Sequence, residues 1–278
     1  MILIVMFDVI KTTLTTKGEG FLSAIVSGGF RNLASLSLRA GGRVSEIMGA
    51  VSVLAIGSTW LAGLWAGWVL VFLGLPNAIE HSTHATTVGI YDYVYFVGFT
   101  LSTLGVGDFT PNGTLAQMAT TLSSFNGLLV ITLIVTYAVS VVSGVVARRV
   151  LAYKIYLAGG DEGDFQTRFE SVDDFVAWIK DIRNDLIFCT EQRLAYPVLD
   201  NFLSKEKSHS LAVQLTKLGL ASQATKQSDG VSEPSRRELD ELFSVLYRYT
   251  SLTGITDNDL LVRLRKLSDR EGWSEINL

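Results

Sequence analysis

The sequence predicts an all-α membrane protein: two transmembrane helices, a short re-entrant helix and loop between them, and a cytoplasmic helical domain behind. Three observations lead there. Residues 47–79 form a run of 33 without a formal charge, and residues 109–147 form a second such run. A bilayer core of about 30 Å takes roughly 20 apolar residues as helix, so each run is long enough to cross. Charge is also unevenly spread: up to Ala152 the chain carries 7 Lys+Arg and 6 Asp+Glu, and beyond it 16 and 21. The second half has the charge density of a water-exposed domain.

A formal net charge of −4 and a pI near 5.4 offer no basic field, so nucleic acid is excluded as an expected partner. Cys189 is the sole cysteine, which rules out an intrachain disulfide and a cysteine-built zinc site. In an amphipathic helical pattern it reads as a small buried apolar residue with no further role.

Residues 1–46 open with "MILIVMF", too short to span unless Asp8 and Lys11 lie beyond its end. A signal-like segment and a truncated hydrophobic segment both remain open readings. Residues 21–38 place Phe21, Leu22, Ile25, Val26, Phe30 and Leu33 along one helical side, which predicts a helix lying at the cytoplasmic interface.

Residues 47–152 are expected to form the transmembrane domain. Its first spanning helix covers 48–75, with Trp60, Trp65 and Trp68 as interface anchors or interhelical packing. Gly63 and Gly67 form a small-xxx-small pair suited to close helix contact. Residues 91–103 are aromatic and apolar with one early acid, enough for a helix that dips into the membrane and stops. The second spanning helix, 115–149, carries Ser, Thr and Asn residues that suit a water-lined or packed face.

Lys11, Lys17, Arg31, Arg39 and Arg43 precede the first spanning helix, and Arg148, Arg149 and Lys154 follow the second. No Lys or Arg lies between Leu75 and Gly113. The asymmetry predicts a multi-pass protein of the cell membrane, with the N-terminal flank of the first helix and the C-terminal tail both cytoplasmic.

The tail, 153–278, reads as a small helical bundle. Ser171 with Asp174 has the form of a capping box ahead of Val172, Phe175, Val176, Ile179, Ile182 and Leu186 at helix spacing. Ser235 with Glu238 is expected to open a second helix and Thr256 with Asp259 a third, and "ATKQSDGVSEPS" reads as a loop.

The connection ends in "TLSTLGVGDFTP". Backbone that is not helical at membrane depth is tolerated only where protein or water surrounds it. Successive carbonyls that turn toward one axis need dihedrals closed to ordinary residues, and the alternate glycines Gly105 and Gly107 open them. Thr103 adds a hydroxyl acceptor. Four copies of residues 103–107 around an axis would stack rings of oxygens able to replace the water shell of a monovalent cation. The negative end of the preceding helix would favour the same cation.

"STLGVGD" resembles the selectivity-filter signature T-x-G-[YF]-G-D of potassium channels. Over residues 46–152 the chain resembles the two-transmembrane, one-pore-loop potassium channel family. That resemblance implies a pore helix at 91–103 and a potassium-coordinating filter at Thr103, Leu104, Gly105, Val106 and Gly107, with ions held at Thr103 to Val106. It also implies Asp108 as the acid of the outer mouth and Gly127, 20 residues after Gly107, as a gating hinge in the inner helix. Two positions depart from the family. Val106 stands where it usually has Tyr or Phe, and Phe99 where some members have a Glu that pairs with the acid after the filter.

The resulting expectation is a homotetrameric potassium channel that conducts passively, with K+ as permeant ion and no cofactor. It is not an enzyme, and its cytoplasmic regulator is unknown. The alternatives are a weakly selective cation channel, which Val106 favours, and a non-conducting membrane scaffold. No helix has arginine at every third position, so a voltage sensor is not expected. His81 and His84 read as residues of a hydrated loop, with a metal or proton sensor as the sharper alternative. "GGDEGDF" at 159–165 is similar to the GGDEF signature of nucleotide cyclases, but the helical tail predicts no hairpin to carry it, and a glycine-acid linker is expected. A phosphate-binding G-x-G-x-x-G fails at Thr110, with no strand expected before the loop, and Gly144 reads as a second hinge or a packing point.

Overall fold

The computed structural model of the chain describes residues 1–39, 45–83, 87–165, 167–229 and 231–273. Among the described residues it is mostly helical, with two short strands. Contacts divide it into one unit of Met1–Val26 with Val53–Ser140 and another of Ser27–Ser52 with Val141–Leu278.

In the first unit, helix α1 (Ile2–Leu14) is followed by the start of α2 (Phe21–Arg39) and by most of α3 (Ser45–Leu73). Ile47–Leu73 of α3 and Thr114–Gly159 of α5 are long and apolar enough to cross a membrane. Helix α3 stops at Leu73, short of the expected Leu75, because Pro76 disfavours helical dihedrals just before it. The Gly63 and Gly67 pair does serve close contact, and its partner is α1. A Cβ at Gly63 would stand 2.9 Å from Val5, and one at Gly67 would stand 2.6 Å from Ile2. Trp60 is fully buried edge-on against Tyr137, and Trp65 Nε1 donates to the Val94 carbonyl at 2.9 Å.

Asp8 is a buried acid of the N-terminal helix. It lies inside α1 and is 2 % exposed, not beyond a helix end. Its carboxylate accepts from the backbone N–H of Leu22 (2.7 Å) and Ser23 (3.2 Å), from Ser23 Oγ (2.5 Å) and from Trp60 Nε1 (2.8 Å). Two of those donors are orphan amides in the first turn of α2, so Asp8 caps that helix from outside it. The face of α2 turned to the protein is therefore the small one, with Ser23 and Ser27 buried, while Phe21 and Ile25 of the expected apolar stripe are exposed.

Strand β1 (Ile79–His81) pairs antiparallel with β2 (Phe109–Pro111), matching Ile79 with Pro111 and His81 with Phe109. Between them lies α4 (Ile90–Leu101), and after β2 the 46-residue α5 (Thr114–Gly159). Helix α4 ends two residues before the expected Thr103, since Thr103 adopts a left-handed φ of +55°. Helix α5 runs ten residues past the expected Arg149, because Leu151, Ala152, Ile155 and Ala158 enter the core of the tail.

The second unit is a helical bundle of α6 (Val172–Ala195), α7 (Leu211–Gln227), α8 (Glu233–Ser251) and α9 (Leu260–Arg270), around that end of α5. Ser171 caps α6 as expected, its Oγ accepting from Asp174 N. The next two caps differ: Ser232 opens α8, ahead of Ser235, and Asp259 itself opens α9. The expected loop at 224–235 shrinks because α7 continues to Gln227. Cys189 is buried in this core, and burial pushes its thiol up to about 11. Residues 160–165 form a turn closing α5: Gly160, at φ +62°, donates to the Tyr156 carbonyl, and Lys217 Nζ binds the carbonyls of Gly160 and Asp161. No strand forms at the "GGDEG" string among the described residues.

Candidate functional site

The loop after α4 is launched by helix-end hydrogen bonds. Thr103 N donates to Thr100 O at 3.1 Å and Leu104 N to Phe99 O at 2.9 Å, which closes the last turn. Beyond it the sign of φ alternates: positive at Thr103 (+55°), Gly105 (+56°) and Gly107 (+87°), and not at Leu104 or Val106. A uniform strand points successive carbonyls to opposite sides. When the handedness alternates, each peptide plane flips relative to the last and successive carbonyls align. Glycine takes the left-handed state freely, but at a β-branched Thr it costs about 1–2 kcal/mol. Strain of this kind persists where the surroundings enforce it, most often at functional sites.

The carbonyl oxygens of Thr103, Leu104, Gly105 and Val106 accept no hydrogen bond from any described residue. At Gly107 this changes: its carbonyl accepts from Ser82 Oγ at 2.5 Å, and the Asp108 carbonyl accepts from Ser82 N at 2.9 Å. Four consecutive acceptors are thus left open, bounded by a fifth that is held. Val106 is 45 % exposed, with no ring at that position to pack.

Tyr95, which the sequence reading passed over, supplies the partner for the outer acid. Its hydroxyl donates to Asp108 Oδ2 at 3.0 Å. It sits one turn before Phe99 on α4, and Phe99 fills its own place by packing edge-on against Tyr95 and Phe96, with ring centroids 5.2 Å apart in each case. An aromatic donor one turn before the missing Glu was the available signal. Removing it with Tyr95→Phe is expected to weaken retention of Asp108 by one hydrogen bond, worth about 1 kcal/mol. The fold should stay intact and, in reversal-potential measurements on the reconstituted chain, any preference among monovalent cations should fall several-fold. An unchanged preference would rule the contact out.

Gly127 is brought against this site. A Cβ there would collide with the Leu101 carbonyl, so the glycine lets α5 pass the end of α4 closely, and α5 is unbroken at that point. Gly144 packs on Leu199 in the second unit, where a Cβ would lie 3.1 Å from its methyl groups. His81 lies on β1 with its ring edge-on to Phe109 at 5.0 Å. His84 lies outside the described residues. An open groove beside the loop is lined by Phe96, Thr100, Thr103, Gly105, Thr120 and Phe125.

The second unit holds a buried charge cluster around Arg148. Its Nη1 donates to Leu199 O at 2.6 Å, and its guanidinium stands 3.8 Å from both Asp200 and Glu271. Arg193 Nη2 meets Asp200 at 2.8 Å and its guanidinium lies over the Tyr249 ring. Burial acts to raise the Asp200 carboxyl, but Arg193 and Arg148 overcome it and hold it below the usual range. At Glu271 burial wins over Arg148 and the Ser210 hydroxyl and raises the carboxyl.

Two helices long and apolar enough to cross a membrane, with a loop of unpartnered carbonyls between them, have the layout of an ion-channel pore module. The comparison with known proteins gives the same class: residues 58–144 match the family model described as "Ion channel". That segment is similar to the family, and the match covers less than half of the chain. A membrane protein of Bacillus subtilis (strain 168), described as the uncharacterized membrane protein YdjJ, is 29% identical over 165 residues. The match covers 57% of this chain and 48% of the relative, so the chain spans about half the relative's length. No solved structure matches the chain.

Proposed function

We propose that the chain is one subunit of a homotetrameric channel that conducts potassium ions passively across the cell membrane. The observation that carries this reading is the run of four open carbonyls from Thr103 to Val106, aligned by dihedrals of alternating sign. Rings of such oxygens, one from each of four chains, replace the hydration shell of a monovalent cation. One loop per chain closes a ring only with further copies, and closed rotational symmetry is the ordinary way to supply them. Leu115, Met118, Leu122 and Phe125 of α5 are exposed in a single chain, as faces awaiting lipid or neighbouring copies would be. Asp108 marks the outer mouth, Gly127 is the hinge candidate, and both the residues before α3 and those after α5 are cytoplasmic.

The test is flux from liposomes holding the purified full chain. Potassium efflux is expected with a reversal potential near that of potassium in opposed potassium and sodium gradients. Equal permeabilities would overturn potassium selectivity in favour of the weakly selective channel that Val106 favours. Absence of flux would leave the chain a scaffold.

A further inference from the structure

We propose that Ser82 is a positioning residue of the filter: a strap from the outer connection holds the loop where an aromatic at position 106 is missing. The inference rests on the conducting role proposed above.

The strap is the ladder β1–β2, closed at one end by Asn112 N donating to Ala78 O at 2.8 Å and at the other by the two bonds from Ser82. Those two bonds, from the hydroxyl to Gly107 O and from the backbone N–H to Asp108 O, fix two successive peptide groups. Fixing two in a row is what stops a rotation, because turning the Gly107 carbonyl breaks the first bond and drags on the second. The position needs such a hold. Gly107 is left-handed at φ +87°, and a Cβ there would meet nothing within 4 Å, so no packing restrains it. Its neighbour Val106 is exposed and brings neither a ring nor a hydroxyl.

Two consequences follow for the filter. The Gly107 oxygen already carries a donor, so its direction is set by the strap, and the oxygens of Thr103 to Val106 form the ion-binding rings. The outermost of those rings keeps its diameter only while the peptide after it stays still, and ring diameter and carbonyl field decide between potassium and sodium. Ser82 acts through Gly107 and touches no ion.

The experiment compares the wild-type full chain with Ser82→Ala and Ser82→Thr in liposomes, reading reversal potentials and, in parallel, hydrogen-exchange protection of the strap amides of residues 82 and 112, which donate to Asp108 O and Ala78 O. Loss of one hydrogen bond predicts a potassium-to-sodium permeability ratio roughly fivefold lower in Ser82→Ala, with tetramer assembly unchanged. Ser82→Thr, which keeps the hydroxyl, should restore the ratio. Exchange should quicken in Ser82→Ala at these amides and not elsewhere. An unchanged ratio together with unchanged exchange overturns the proposal. If the wild type fails to conduct, the conducting role falls and the exchange result alone decides: faster exchange upholds the strap, and unchanged exchange removes it.

Discussion

Gly105→Ala is expected to reduce potassium flux to background while the protein still folds and assembles. The Cβ meets nothing within 4 Å inside the chain, so no clash unfolds the subunit. The difficulty is the dihedral: Gly105 sits at φ +56°, where an alanine costs about 1–2 kcal/mol. A loop with open acceptors on both sides has little to enforce that cost, so the residue relaxes toward negative φ and the peptide turns. One carbonyl of the run then turns out of line, which in the proposed tetramer removes a whole ring. Liposome flux measures the loss, and size-exclusion chromatography of the same preparation checks assembly. Flux at the wild-type level would mean that the ion does not pass along this backbone.

Arg148→Ala is expected to destabilise the second unit by about 3–5 kcal/mol, the range for removing one member of a buried ionic cluster. The guanidinium is nearly enclosed and faces two carboxylates and a carbonyl. Asp200 would keep Arg193, but Glu271 would keep only Arg193 at longer range and the Ser210 hydroxyl. Thermal unfolding of the detergent-solubilised protein should show a clear drop in midpoint. Arg148→Lys, with charge but no fork, should recover part of it. A midpoint within a degree of the wild type for Arg148→Ala would show the cluster to be energetically idle.

The two spanning helices were legible because lipid imposes a rule that needs only composition: long runs without charge. The loop glycines Gly105 and Gly107 were legible for a similarly local reason, since alternate glycines announce alternate left-handed residues. Thr103 was not, because nothing about a threonine signals positive φ, and the surroundings impose it. Ser82 and Tyr95 were invisible for want of register: one bonds across 25 residues and the other across 13, and sequence spacing does not reveal such pairings. Helix α7 escaped because Gln214, Thr216 and Lys217 are interleaved with its apolar residues and buried with them, so the sequence shows no separate polar face. The caps of α8 and α9 were misplaced by three residues each, as "SEPS" and "TDND" each offer two acceptable capping residues.

The carboxylate of Asp8 bears on the order in which the subunit is built. Its four donors come from the first turn of α2 and from Trp60, the latter 52 residues further along the chain. Until α3 arrives, α1 carries an acid whose set of donors is incomplete, and burying it in lipid is unfavourable. Helix α1 is thus fully seated only when α3 presents its indole, so α1, the start of α2 and α3 are expected to lose their fold together.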